Sequence, residues 1–270
     1  MKCKLYINKI VGKTFTKKSS YIRNNINIQF QKDLAKSYGL VMEEKLLEEG
    51  RNLSFSYMCS QVIDPIKDLV EDIDLLVIAH CTPNIDPAVS TVNNLIEKYS
   101  LKAKGFAISD IGIIAPFIAI KSINDSFISG KSKKALLLIV DQSTLPYKVS
   151  GLKQIVDSSI ACILESDSKP GSLGLKSWSN GDLSQKANEL IKHTEKRSLI
   201  LRSSIKLNHF RLSNENWDSI ASSSSGYLCT ELFFELSKYI EKNRISSEII
   251  LIDGEEKDNL YKMSFIQVGE

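Results

Sequence analysis

The sequence lacks most of the signatures that would give an enzyme away. Its 270 residues hold no glycine-rich phosphate loop, no GxSxG elbow and no run of metal ligands, which removes the common nucleotide-binding, hydrolase and zinc patterns. The five cysteines, Cys3, Cys59, Cys81, Cys162 and Cys229, are an odd number at irregular spacings without a CxxC pair. That pattern suggests neither a disulfide framework nor a zinc site, and the thiols are expected to be reduced. No apolar stretch approaches the roughly 20 residues of a membrane span, and the first 16 residues contain no secretory h-region. A cytoplasmic protein with no membrane partner is expected. An excess of one charge sign is also missing: 35 Lys and Arg stand against 32 Asp and Glu, net +3, and the basic residues follow no stripe. Nucleic acid is therefore not an expected partner. Lys13, Lys17 and Lys18, in VGKTFTKK, are expected in a solvated loop.

What is present is an ordinary globular composition, 43% hydrophobic and 25% charged, with strands and helices in alternation. DLLVIA (74–79) is a short continuous apolar run, expected as a strand buried on both faces. A helical stretch (54–70) precedes it, and a Pro- and Asn-bearing loop (82–87) and a second helix (88–99) follow. GFAIS (105–109), an apolar segment (111–128), Gly130 and ALLLIV (135–140) read as a βαβ crossover. SSIACILE (158–165) supplies a further strand. Near the C-terminus, Gly226 opens an apolar helix, IILID (249–253) reads as a strand and MSFIQV (263–268) as another. Gly112 to Ala135 is 23 positions and Gly226 to Glu248 is 22, so a helix, a central strand and its neighbour occur twice at nearly the same spacing. An internal duplication is expected. Between the copies, a helix at 183–193 and a strand at 199–207 are the only elements suggested, and the serines 222–225 read as a loop with a helix N-cap.

The phrases DIDLLVIAHCTPNIDPA (72–88), KGFAISDIGIIAPFIAI (104–120), SGKSKKALLLIVDQS (129–143) and DSSIACILES (157–166) resemble the N-terminal half of ketosynthase III-like condensing enzymes. GYLCTELFFELSKYI (226–240) and SEIILID (247–253) resemble that family's last helix and strand. The resemblance implies an α/β fold, the thiolase-like αβαβα five-layer sandwich of two duplicated halves. It implies one domain over 1–270, with an N-terminal half at 1–166 and a shortened C-terminal half at 167–270.

It also implies a Claisen condensation or acyl transfer through a cysteine at the N-terminus of a buried helix, where the helix dipole and main-chain N–H groups favour a thiolate and an oxyanion. Aligned on Ala119 and Ile120, Ile113 takes the nucleophile position, and a slip of one or two residues gives Ile111, Gly112, Ile114 or Ala115. None of these side chains can carry an acyl group. The family's catalytic histidine and asparagine have no counterparts either: His209 and the serines 222–225 do not fit their phrases, and His193 falls among lysines. Cys81, directly after a buried strand and beside His80, is the alternative nucleophile. Adjacent residues on an extended segment point opposite ways, which hinders proton transfer between the two. Cys229 is a lesser candidate, and Cys59 and Cys162 read as core. Asp72 with Asp74, and Glu255 with Glu256, read as solvated turn residues.

Protomers of this family meet at a sheet edge, and a loop of one walls the pocket of the other. The matching loop here carries Thr82, Pro83, Asn84, Ile85, Asp86 and Pro87, and 105–109 would be the edge strand. The resemblance thus implies a pseudoenzyme, a non-catalytic subunit. It would form a heterodimer with a catalytically active ketosynthase III-like subunit and complete that partner's acyl-substrate pocket, in the biosynthesis of a specialised metabolite or fatty-acid-derived product. Two alternatives stay open: an acyltransferase or condensing enzyme with Cys81 as a displaced nucleophile, and a homodimeric scaffold binding acyl carrier protein or acyl-CoA without chemistry. No cofactor and no metal are expected.

Overall fold

Six continuous apolar residues at 135–140 make a strand that can lie only where both faces are covered, and the fold is arranged around it. A computed structural model describes residues 5–148, 155–169, 172–182, 197–202, 217–222, 226–242, 248–257 and 260–269. In chain order its elements are β1 (Tyr6–Thr14), α1 (Asn25–Ser37), α2 (Glu44–Glu49), α3 (Phe55–Ile63), β2 (Leu75–Ala79), α4 (Thr91–Lys98), β3 (Lys104–Ile108), α5 (Ala115–Ile128), β4 (Lys134–Asp141) and β5 (Ser158–Glu165). Then follow β6 (Leu173–Asp182), β7 (Arg197–Leu201), β8 (Trp217–Ser222), α6 (Glu231–Lys242), β9 (Glu248–Lys257) and β10 (Leu260–Gly269).

The strands run in the order β3-β2-β4-β5-β1-β6-β10-β9-β7-β8. β1 and β6 meet through two residue pairs, Tyr6 with Gly174 and Ile7 with Leu173. Dividing the sheet there leaves two five-stranded sets of identical order, each beginning from its own edge. β2 is parallel to β3 and β4, and β5 is antiparallel to β4 and β1. In the second set β7 is parallel to β8 and β9, and β10 is antiparallel to β9 and β6. Among the described residues, the duplication expected from the Gly112 and Gly226 spacing therefore extends to a five-stranded order and its central helix.

Side-chain alternation along the central strands sorts the core into two clusters. Leu76, Ile78, Leu136, Leu138 and Val140 point to an outer layer of α3 and α4, where Met58, Cys59, Val62 and Leu95 cover them. Val77, Leu137 and Ile139 point inward to α5 and α6, whose other neighbours include Ile200, Ile249 and Leu251 of the second set. Phe117 of α5 meets Phe233 of α6 edge to face, with centroids 5.9 Å apart. Burying such a ring contributes roughly 1.5–3 kcal/mol. Both helices thus lie between the two strand sets. The expected helix at 183–193, with His193, and also His209 lie outside the described residues.

Local chemistry explains the helix boundaries. Ser54 and Ser90 cap α3 and α4, their hydroxyls accepting the N–H of Tyr57 and Asn93. α5 starts with Pro116 in its first turn, where no N–H is needed, and stops at Gly130 with φ 70°. Both central helices are approached through a glycine in the left-handed region, Gly112 at φ 67° and Gly226 at φ 107°, followed by the 3-10 turns Gly112–Ile114 and Leu228–Thr230. Lys13 departs from expectation: it lies in β1 and donates to Gln61 at 2.8 Å. Lys18 is anchored on the carbonyls of Glu48 and Glu49. Asp72 pairs with Lys134, and Asp74 accepts the N–H of Lys133 at 2.8 Å, so these two carboxylates fix the start of β4.

The outer layer packs closest at Gly105. A Cβ there would stand 2.4 Å from Val92 Cγ1 and 3.2 Å from the Leu76 carbonyl oxygen. Gly105→Ala should destabilise the fold by about 1–3 kcal/mol, seen as a lower urea midpoint. An unchanged midpoint would mean that α4 does not rest on β3 this closely.

Candidate functional site

Asp141 ends the apolar run of β4 and is fully buried. Its Oδ1 accepts the N–H groups of Cys81 and Thr82, both at 2.9 Å, and the Thr82 hydroxyl at 3.2 Å. Its Oδ2 accepts the N–H of Cys229 at 2.7 Å. Burial pushes the carboxyl up to about 6, with the N–H donors pulling the other way. This one side chain brings the end of β2 beside the turn that opens α6. Cys81 and Cys229 are joined there as a disulfide, with Cα atoms 6.1 Å apart and 148 residues between them in sequence. The expectation of wholly reduced cysteines fails at this pair, because spacing along the chain says nothing about which strand end meets which helix turn. Cys59 and Cys162 are free and buried in the core, as expected.

Cys229 Sγ lies 3.5 Å from the carbonyl oxygen of Gly112, so the sulfur pair rests against the turn that carries Ile113. Ile113 is buried at the head of α5. The approach to that turn is tightly wound: Asp110 and Gly112 both have positive φ, at 63° and 67°. Asp110 accepts the hydroxyls of Ser109 at 2.7 Å and Tyr38 at 2.9 Å, and these bonds hold its carboxyl below the usual range.

In front of the turn is a cavity of about 690 Å³, whose wall includes Tyr38, His80, Cys81, Thr82, Asp110, Gly112 and Tyr147. His80 packs edge-on to Phe55, and its Nδ1 is 2.8 Å from the Thr82 carbonyl. Burial pushes the imidazole pKa down, which keeps it uncharged at neutral pH. His80 and Cys81 both line this cavity, and the ring's contact is with Thr82. The loop expected at a partner's pocket forms part of this chain's own wall through Thr82, Pro83, Asn84 and Pro87, while Ile85 and Asp86 line a second cavity of about 420 Å³. The loop is pinned: Asn84 accepts the Phe55 N–H, its carbonyl accepts Gln31 Nε2, and the Pro83 carbonyl accepts Gln142 Nε2.

Cys81, Asp141 and Cys229 bring one ligand atom each within 4.8 Å of one another, a group of metal-ligand type that the spacing did not reveal. While the disulfide stands, its sulfurs are not thiolates and the group is not a metal site. A second buried polar group supports the same turn from the other half. The Arg202 guanidinium binds Asp253 and Glu231, and donates to the Leu228 carbonyl at 2.6 Å. No sequence motif marks Asp141 or Arg202. The available signal was that ALLLIV and IILI, the paired central-strand runs, each end in an aspartate.

No family model matches the sequence, and no curated protein matches it. Solved structures do match. A variant of Xanthomonas campestris OleA is similar at TM-score 0.67 and 11% identity, over 99% of this chain and 98% of that one. AbyA1, a tetronic acid condensing enzyme, is similar at TM-score 0.67 and 10% identity, over 98% and 100%. FabH, the 3-oxoacyl-(acyl carrier protein) synthase III of Pseudomonas aeruginosa PAO1, is similar at TM-score 0.63 and 11% identity, over 98% of each chain. The chain has the thiolase-like fold of these proteins, and its duplicated strand order is consistent with it. Among the described residues no helix is long and apolar enough to cross a membrane.

Proposed function

We propose that this chain is a non-catalytic, ketosynthase III-like subunit that pairs with an active partner of the same fold and completes the partner's acyl-substrate pocket. The observation that carries the proposal is Ile113. The resemblance puts the nucleophile in the turn at the head of the buried helix α5; that turn adjoins the cavity through Gly112, and the Ile113 side chain has no nucleophilic atom. Two further features support a partner. β3 is an edge strand with one neighbour, and its residues 104–107 are exposed, Phe106 among them. Phe30 and Val89, at the cavity wall, are also exposed apolar side chains. An open apolar edge favours association over a lasting monomer.

Co-expression with an intact ketosynthase III-like subunit should raise this chain's solubility and give a 1:1 complex. Pro87→Phe should shift the partner's acyl-chain preference while the partner's cysteine is still acylated. The isolated chain, treated with acyl-CoA, should show no covalent adduct by intact mass. A stable monomer, or a partner whose activity and selectivity ignore this chain, would sink the proposal. The second reading rests on Cys81 lining the cavity: when reduced, it would be a displaced nucleophile, and a stoichiometric acyl adduct lost in Cys81→Ala would select that reading instead.

A further inference from the structure

The subunit role makes no use of the Cys81–Cys229 pair, yet the fold presents its two sulfurs unequally. Cys81 is half-buried and lines the 690 Å³ cavity, whereas Cys229 is 1% exposed and is not part of the cavity wall. We infer that the pair is a thiol–disulfide exchange site for small-molecule thiols that enter through the cavity, with Cys81 the sulfur attacked and Cys229 the resolving thiol. The inference stands whether or not a catalytic partner exists.

How the pair reacts depends on what holds the cysteines together. Asp141 accepts the N–H groups of both residues, so their main chains stay side by side when the S–S bond is broken. A Cys229 thiol released by attack on Cys81 therefore remains next to the sulfur it has left, and ring closure is intramolecular. The first step joins the incoming thiolate sulfur to Cys81 Sγ and breaks the Cys81–Cys229 bond, whose electron pair leaves on Cys229 and takes a proton from water. In the reverse step the Cys229 thiolate attacks Cys81 and expels the small thiol. If a second thiolate instead attacks the small-molecule sulfur of the mixed disulfide, two molecules of thiol are oxidised to one disulfide and the protein pair is reduced to two thiols. Cys59 and Cys162 are built-in controls: both are free and enclosed by the core, and burial pushes their thiols up, Cys59 to about 12. A reversible couple is also the kind of disulfide found in a reducing compartment.

The test uses the full chain in buffers of reduced and oxidised glutathione over a range of ratios, followed by acid quench, alkylation and peptide mass mapping. The expected result is reversible conversion of the native Cys81–Cys229 disulfide to the dithiol, with Cys59 and Cys162 unmodified. Cys229→Ser should trap glutathione on Cys81, and the adduct should be lost in Cys81→Ser. Should either variant fail to fold, limited reduction of the wild-type chain gives the same information, with the first mixed disulfide expected on Cys81. Adduct on Cys229 to an equal extent, or exchange only after unfolding, overturns the inference. So does a wild-type chain whose two thiols are held by a tightly bound metal and resist oxidation.

Discussion

Replacing Arg202 with methionine should lower the stability of the fold by about 3–5 kcal/mol, the scale seen when one partner of a buried ion group is removed. Arg202 is 5% exposed, and its guanidinium lies between Glu231, the first residue of α6, and Asp253 of β9, which are 3% and 1% exposed. A planar cation with five donors suits this position, since it serves two carboxylates and the Leu228 carbonyl together. Methionine approximates the volume without the charge, so the loss would come from two carboxylates deprived of their shared cation rather than from a cavity. Urea unfolding at neutral pH would measure it. The triple variant Arg202→Met, Glu231→Gln, Asp253→Asn should recover a large part of the loss, which a purely steric effect would not allow. The exposed Lys121–Asp125 pair on α5 is the contrast: breaking it should change stability by about 0–1 kcal/mol. An Arg202→Met loss of that small size would mean that water reaches the group.

The sequence was most informative where chain periodicity and burial agree. DLLVIA and ALLLIV have no polar alternation, and that pattern is tolerated only in strands covered on both faces, which β2 and β4 are. The glycines at 112 and 226 were legible as the starts of two units of nearly equal length, and each takes a positive φ ahead of a 3-10 turn. α1 was not legible. Its face has Ile28 and Ala35 buried, but Gln31 is buried between them while Ile26 and Phe30 are exposed, so no apolar stripe of helical period marks it. The candidate site was half legible. The proposed nucleophile position at Ile113 comes from aligning a motif, whereas the meeting of Cys81, Asp141 and Cys229 depends on two halves closing on each other. No local rule contains that distance.

The second large effect expected is a pH dependence centred on Asp141. Its carboxyl has an ordinary value of 3.8 and is raised to about 6 in the fold by burial, against the lowering effect of three main-chain donors. A carboxyl raised on folding binds its proton more tightly in the native state. Its stabilising contribution is therefore complete below about pH 4 and is lost as pH rises through about 6, where the native protein must hold the charge in its interior. Two units of difference correspond to on the order of 3 kcal/mol. Asp141→Asn cannot titrate, and its NH2 group would face main-chain N–H donors where the hydroxyl oxygen of the neutral acid can still accept, so the variant should be less stable at acid pH. The informative quantity is the wild-type advantage over the variant, taken from urea unfolding at pH 4, 5, 6 and 7 with the Cys81–Cys229 disulfide intact in both proteins. That advantage should shrink by about 2 kcal/mol from pH 4 to pH 7, because the unfolded carboxyl is already partly ionised at pH 4. A constant advantage would mean that the N–H groups of Cys81, Thr82 and Cys229 fully offset burial. An advantage that grows with pH would mean that they outweigh it, leaving Asp141 an ionised anchor whose charge helps to hold the two halves together.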